Sequence, residues 1–294
     1  MIDVAERNKY SYIADAKYAN TVQSILENGS MDINPRPHWV DGTPAHTKSI
    51  NKVVHSYDLS KNEWPLITLR PIAFRSAIKE LFWIYQDASN DLDVLRNKYG
   101  ITWWDEWDIG DRTIGCCYGE TVRRHDLMNR LLNGLMTDPD GRRHMINLWQ
   151  EEDFTNKHGL KPCAFLTMWN AVHTPEGQPD RLDMTLIQRS SDFITAGSIN
   201  QFQYAVFLKL VATSLGYEAG VFTWFGENVQ IYDRHEEAAK EILNRTTYSK
   251  FEGITVEIPK KWFYDYTPDD IVVKGYNQKE IAEENGKIAL EVAI

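Results

Sequence analysis

Cys163 follows Pro162 and leads into an apolar run, Ala164–Val172. A thiolate is a strong nucleophile, and a proline ahead of it fixes the local backbone, so a thiol there can be presented at a strand edge. A buried cysteine packing as a small hydrophobe shows the same local pattern. Arg142 and Arg143 follow Asp138-Pro139-Asp140-Gly141. Two adjacent guanidiniums can clamp a phosphate, or simply form a solvated charged turn. The run Gln188-Arg189-Ser190-Ser191-Asp192 sets a guanidinium and a hydroxyl, both suited to phosphate, beside a carboxylate suited to a donor-rich heterocycle. Strict alternation sends Arg189 and Ser190 to opposite faces of a strand. One ligand meets both only if the strand ends or bulges there; a polar strand terminus is the other reading. Trp103-Trp104-Asp105-Glu106-Trp107 is either a stacking platform or core.

These residues need elements to hold them. Ile78, Leu81, Phe82 and Tyr85 recur at helical spacing and predict a helix from Ile72 to Gln86. Trp83 and Ile84 make that helix apolar almost all round, which predicts burial. Glu80 then needs a partner or a chemical task. Further helices are expected at Tyr18–Leu26, Leu127–Met136, Ile199–Leu215 and Glu236–Leu243. Strand patterns appear at Met145–Trp149, Ala164–Val172, Leu182–Arg189, Val221–Trp224, Val229–Tyr232 and Ile254–Ile258. Helices and strands intermix without regular alternation, which predicts an α+β fold with helices packed on a mixed sheet.

The chain has 294 residues, 43% apolar and 25% charged, as in an ordinary globular protein. That length suggests one or two domains, and no linker, repeat or low-complexity tract marks a boundary. Lys and Arg number 32 against 42 Asp and Glu, a net charge of -10, which disfavours generic nucleic-acid binding. An anionic ligand therefore needs a local cluster of arginines. Three cysteines make no disulfide framework and suggest a reducing compartment. No apolar run reaches the roughly 18 residues of a membrane helix, and the N-terminal residues lack a signal-peptide pattern, so a cytoplasmic protein is expected. Nucleotide-binding glycine motifs, H-E-x-x-H and G-x-S-x-G are absent, and the 8 histidines are dispersed, so no metal is expected.

The motifs taken in order carry more than any one of them. Ala77-Ile-Lys-Glu80-Leu-Phe-Trp83, Trp104-Asp-Glu-Trp107, Tyr118-Gly119, Asp138 through Arg143, Pro162-Cys163, Gln188 through Asp192, Asn200 with Tyr204, and Ile231-Tyr232 together resemble the thymidylate synthase family. The resemblance runs from about Asp41 to the C-terminus, and Asp41-Gly-Thr-Pro-Ala-His-Thr47 looks like one subgroup. It implies a single catalytic domain over residues 1–294, a mainly antiparallel mixed sheet, and an obligate homodimer. It also implies methylation of dUMP at C5, with 5,10-methylenetetrahydrofolate as one-carbon donor and reductant.

By the same resemblance Cys163 attacks C6 of the pyrimidine, and a positive neighbour, Arg189, is expected to lower its pKa. Asn200 pairs with O4 and N3–H of the base, since an amide offers both donor and acceptor. Arg189, Ser190 and an N-terminal arginine, taken as Arg36, hold the phosphate. Arg142 and Arg143 come from the partner subunit. Gln188 belongs to the substrate site, and Tyr232, with Gln230 in the place of a usual histidine, meets the sugar 3′-hydroxyl. Glu80 and Tyr118 order water for proton transfers. Asp192 holds the pterin, Trp104 and Trp107 pack on the folate, Arg70 meets its glutamate tail, and Ile294 ends a closing tail. Ala164 stands where most members carry histidine, which motivates an alternative: a dUMP or dCMP 5-hydroxymethylase on the same scaffold. A weakly catalytic relative that binds nucleotide or RNA is the third reading.

Overall fold

The structure is a computed structural model and describes residues 9–154, 159–176, 178 and 180–293. In chain order, helix α1 (Ile13–Asn28) precedes strands β1 (Ser30–Met31) and β2 (Thr47–Asp58). Four helices follow: α2 (Phe74–Tyr85), α3 (Leu92–Tyr99), α4 (Gly119–Arg124) and α5 (Leu127–Thr137). Then come β3 (Met145–Asn147), β4 (Ala164–Val172), β5 (Arg181–Asp192), α6 (Ser198–Leu215) and β6 (Glu218–Tyr232). The chain continues with α7 (Glu236–Asn244), β7 (Thr255–Glu257), β8 (Val272–Lys274) and α8 (Gln278–Asn285).

Six strands form one twisted sheet in the order β1-β2-β6-β5-β4-β3. Among the described residues its one parallel pair is β5 with β6; the remaining neighbours are antiparallel. A parallel pair needs a crossover, and α6 supplies it. Phe202, Ala205, Val206, Phe207, Leu208, Val211 and Ala212 of α6 are each fully or almost fully buried. Such a helix can exist only inside, covered by the sheet on one side and by α2 on the other. Burying this much apolar surface is the main driving force for the layer arrangement. The sheet and its helices thus form the expected α+β arrangement, and among the described residues no helix is long and apolar enough to cross a membrane.

The α2 helix begins two residues later than its periodicity suggests, and its buried face includes Glu80 as expected. Two differences have physical causes. The expected pair Val221–Trp224 and Val229–Tyr232 is a single strand, β6, because Gly226-Glu-Asn228 does not turn. At Gly226 an added Cβ would lie 2.5 Å from the Trp224 ring and 2.6 Å from Val229, so glycine there serves close packing rather than a reversal. Strand β2 has no alternating sequence signal: it reads Thr-Lys-Ser-Ile-Asn-Lys-Val-Val-His-Ser-Tyr-Asp, and most of it is only half covered.

Candidate active site

Cys163 stands at the mouth of β4 and is gripped through its backbone. Its N–H donates to the Tyr118 hydroxyl (3.0 Å), and its carbonyl accepts from the Arg189 N–H (2.9 Å). The Arg189 side chain donates to the carbonyls of Pro162 (2.9 Å) and Lys161 (2.7 Å), which sets Nη2 3.5 Å from the Cys163 sulfur. Burial pushes the thiol pKa up, with the Arg189 and Arg36 charges pulling it down. The expected net lowering is therefore absent: the charges are in place, but desolvation of the sulfur outweighs them.

Strand β5 neither ends nor bulges at Arg189, since Ser190 pairs with Asn228 and Asp192 with Gln230. The irregularity lies across the ladder in β4, between Ala164 and Leu166, immediately after the cysteine. Along β5, Leu182, Met184, Leu186 and Gln188 are buried, and then Ser191 is, so Arg189 and Ser190 are both left half-buried. The Ser190 hydroxyl donates to Gln230 Oε1 at 3.4 Å. A π-helical turn, Phe193–Gly197, follows, and Asp192 closes it by accepting the Thr195 N–H (3.2 Å).

Beside Cys163 lies a cavity of about 240 Å³, smaller than the roughly 300–1,000 Å³ of most small-molecule sites. Its walls are aromatic, from Trp103, Trp104 and Trp107, and Val292 of the C-terminal tail closes one side. Glu80 reaches it from α2. Glu80 Oε1 accepts the indole N–H of Trp103 (2.8 Å) and that of Trp104, and Oε2 accepts from Gln203 (2.6 Å). Burial pushes this carboxyl up, while these hydrogen bonds pull it down. Tyr118 holds φ +48°, a strained value for a tyrosine. Gly119 lets the chain pass Ser89, where a Cβ would sit 2.1 Å from a carbonyl oxygen. Asn200 lines the cavity, and its Oδ1 accepts from Gln188 Nε2 (3.1 Å). Gln188 is itself fixed by the Trp224 N–H (2.9 Å) on its Oε1, which sets the sense of both amides. Thr195 Oγ1 is buried without a partner and belongs to the same lining.

The tail is strapped to the rim. Arg234 pairs with Glu291 (2.9 Å) and Asp41 (2.6 Å), and its guanidinium lies 4.8 Å from the centre of the Trp39 ring. The Val40 N–H donates to Glu291 Oε1 (3.3 Å), and Ala293 packs on Trp39, Ala45 and Tyr232.

Residues 16–290 match the family model described as thymidylate synthase. The chain belongs to the thymidylate synthase family. A thymidylate synthase of Lactococcus lactis subsp. cremoris is 43% identical over 264 residues, covering 90% of this chain and 94% of the relative. One from Streptococcus pyogenes serotype M3 is 40% identical over 266 residues, covering 90% and 95%. The solved structure of thermostable thymidylate synthase A from Bacillus subtilis superposes with a TM-score of 0.83 at 32% identity, covering 96% of this chain and 99% of that one. The family is one of methyltransferases.

Against the residues expected from the thymidylate synthase resemblance, the structure gathers Cys163, Glu80, Tyr118, Asn200, Trp104 and Trp107 around one cavity. Arg189, Gln188, Ser190 and Gln230 continue from it along β5 and β6. Tyr232 packs under Trp39 and the tail, and burial and the nearby Asp192 push its hydroxyl up to about 12. Asp192 lies behind the cavity wall and reaches it only through the turn that contains Thr195; burial pushes its carboxyl up. Arg36 is exposed, with its charge felt at Cys163 and Tyr232. Arg142 and Arg143 are exposed and line no part of the cavity. Arg70 is turned away from it: its Nη2 donates to the carbonyls of Ile194 (2.5 Å) and Thr195 (3.0 Å), and it borders a separate open groove. Ile294 lies outside the described residues.

Gln203 and the Arg234 strap were not foreseen, whereas Val292 belongs to the expected closing tail. Gln203 had a usable signal, since it follows Asn200 by three positions on a helix and so shares its face. The strap had none, because its parts are dispersed along the sequence.

Proposed function

We propose that this chain carries out reductive methylation of dUMP to dTMP, with 5,10-methylenetetrahydrofolate giving dihydrofolate and Cys163 as the nucleophile. The observation that carries the reading is the convergence of a thiol, a carboxyl and an amide, those of Cys163, Glu80 and Asn200, on one aromatic-walled cavity. The folate supplies the one-carbon unit and the hydride. Trp104 and Trp107 offer it flat apolar walls, and the unpartnered Thr195 hydroxyl, next to the Asp192 turn, offers a polar contact for a pterin.

The Cys163 thiolate adds to C6 of the pyrimidine. Entry of the nucleotide phosphate beside Arg189 and Ser190, with Arg36 from the N-terminal segment, orders the charges around the sulfur. Asn200 holds O4 and N3–H of the base; its Oδ1 keeps a second lone pair beside the one given to Gln188. Tyr232 and Gln230 serve the sugar 3′-hydroxyl. Glu80 carries protons to and from O4 and C5 through water, with Tyr118 beside it. In this reading Arg70 stiffens the pterin-side turn from behind rather than meeting the glutamate tail.

The enzyme works as a homodimer of one-domain subunits. Support comes from the sheet face opposite α6: Leu166, Ile187, Phe225 and Val54 stand abreast on β4, β5, β6 and β2, and none is buried. Such an apolar row suits an isologous contact between copies. Arg142 and Arg143, exposed and unused by their own cavity, are then available to the partner's phosphate site. The three unpaired cysteines accord with a cytoplasmic location.

The test mixes enzyme, C5-tritiated dUMP and methylenetetrahydrofolate, with Cys163→Ser as control. Tritium release matched by dihydrofolate, both lost in the control by on the order of 10⁴-fold, is expected for removal of a covalent nucleophile. Release without dihydrofolate assigns hydroxymethylation instead. No release overturns the reading.

A further inference from the structure

Among the described residues Glu80 is the one carboxylate lining the cavity, and its two oxygens are not equivalent. Oε1 accepts two indole N–H groups, from Trp103 and Trp104, which occupy both of its lone pairs. Oε2 accepts one N–H, from Gln203 at 2.6 Å. The Gln203 Nε2 also donates to the Ala77 carbonyl (2.9 Å), one turn earlier on the helix that carries Glu80. Gln203 is 2% exposed. Its amide cannot turn over, because its oxygen would then face both the Ala77 carbonyl and the carboxylate. All three donors to Glu80 are neutral groups that do not exchange charge with it.

We infer that Gln203 is a positioning residue that directs proton uptake and release at Glu80 to Oε2, by anchoring that oxygen with a single N–H while the indoles saturate Oε1. A proton can add only where a lone pair is free, and Oε2 keeps one. The inference deepens the reading of Glu80 as proton carrier and rests on it. Among the described residues, the other titratable groups at the cavity are Tyr118 from the α4 entrance, Tyr204 from α6 and Cys163 from β4, and no lysine, arginine or histidine of the described residues lines it. Tyr85, on the helix of Glu80, is hydrogen-bonded to Tyr204 (2.8 Å). Burial holds all three tyrosines in their neutral form. Gln203 is thus the polar side chain that sets the state of Oε2.

The experiment titrates the Glu80 carboxyl by ¹³C NMR in the full chain, with the resonance assigned by its loss in Glu80→Gln, and compares Gln203→Met and Gln203→Glu. Methionine keeps the shape and removes the donor. Losing one hydrogen bond to a charged group should raise the Glu80 midpoint by about one to two pH units. The glutamate variant should show two-step titration of a coupled pair. In Gln203→Met the acid limb of kcat should move with the NMR midpoint, while KM for dUMP stays within about twofold. A folded Met variant with an unmoved Glu80 midpoint overturns the inference. A moved midpoint with an unmoved pH–rate profile keeps the role of Gln203 and overturns Glu80 as the proton carrier. The wild-type chain gives an arm independent of folding of the variants: the Gln203 amide protons must titrate with the Glu80 midpoint, and their invariance also overturns the inference.

Discussion

Glu80, at the floor of the cavity, and Arg234, at its rim, are both charged side chains with several hydrogen-bond partners, but the partners differ in kind. Glu80 is 6% exposed and is held by two indoles and an amide. Arg234, 38% exposed, is held by two carboxylates and the Thr43 hydroxyl. Burying a second ion beside Glu80 would desolvate two charges instead of one, and the attraction regained rarely covers that. Neutral N–H donors satisfy the lone pairs without it. At the rim, water already solvates each ion, so pairing costs little and gains little. His55 follows the interior plan, with Thr21 Oγ1 at 2.9 Å and Gln201 Oε1 at 3.0 Å. Glu80 and His55 are thus matched to uncharged partners, while Arg234 meets its carboxylates where solvent is near.

The largest expected effect is at the floor. Glu80→Gln cannot ionise and turns an NH2 group toward donors that already point at it, so kcat should fall by roughly 10² to 10⁴-fold, measured beside a melting curve. Retained activity would reduce the floor to packing and dissolve the contrast.

Next comes His55, whose imidazole burial holds down from its usual 6.5 to about 4. Between those values the unfolded chain takes up a proton that the folded chain refuses. Stability is therefore full above about pH 6.5 and is lost as pH falls toward 4, by about 3 kcal/mol. Urea midpoints at pH 7 and pH 5 should show about 2 kcal/mol of this loss, and His55→Gln should abolish that part. Buried Asp15, raised to about 6, titrates over an overlapping range with the opposite sign, so variant and wild type are compared at each pH. A slope unchanged by the substitution would show that His55 does not follow the interior plan.

The smallest effect belongs to the rim. Arg234→Ala removes pairs worth about 0.2–1 kcal/mol each, so KM for the folate should rise only a few-fold. At 1 M salt, where screening acts over about 3 Å, wild type and variant should converge. A salt-independent loss above tenfold would place Arg234 with the floor.

Sequence periodicity was sufficient for α2 and β4, because burial on nearly all faces, or on alternate ones, leaves a pattern in residue type. The demand that Glu80 find partners was also legible, since a carboxylate among Ile78, Leu81, Trp83 and Ile84 has few other fates. Which partners answered was not: Trp103, Trp104 and Gln203 come from two other segments, and only the folded packing of α2 on α6 brings them together. Strand β2 stayed hidden because its Asn51 and Lys52 are exposed and its Lys48 reaches the Leu26 carbonyl of α1, while its place in the sheet is fixed by β6. The tie of Arg70 to the Ile194 and Thr195 carbonyls was invisible for a related reason, since backbone acceptors carry no residue code. The thiol of Cys163 shows a limit of another kind: sequence names the arginine beside it, but the balance between charge and desolvation depends on how tightly the sulfur is enclosed.

The strap of Arg234 has a consequence for timing. It joins segments as distant as Val40 and Glu291, 251 positions apart, and sets Val292 in the cavity wall. Whenever the tail lifts, Val292 leaves the wall and the cavity widens on that side. Tail motions of this kind run over nanoseconds to microseconds, and a closure held by about 1–2 kcal/mol slows opening by no more than about thirtyfold. A typical enzyme turns over about ten times a second. The strap therefore opens thousands of times in each catalytic cycle. It governs how long a captured ligand stays shielded from water, not how often one arrives.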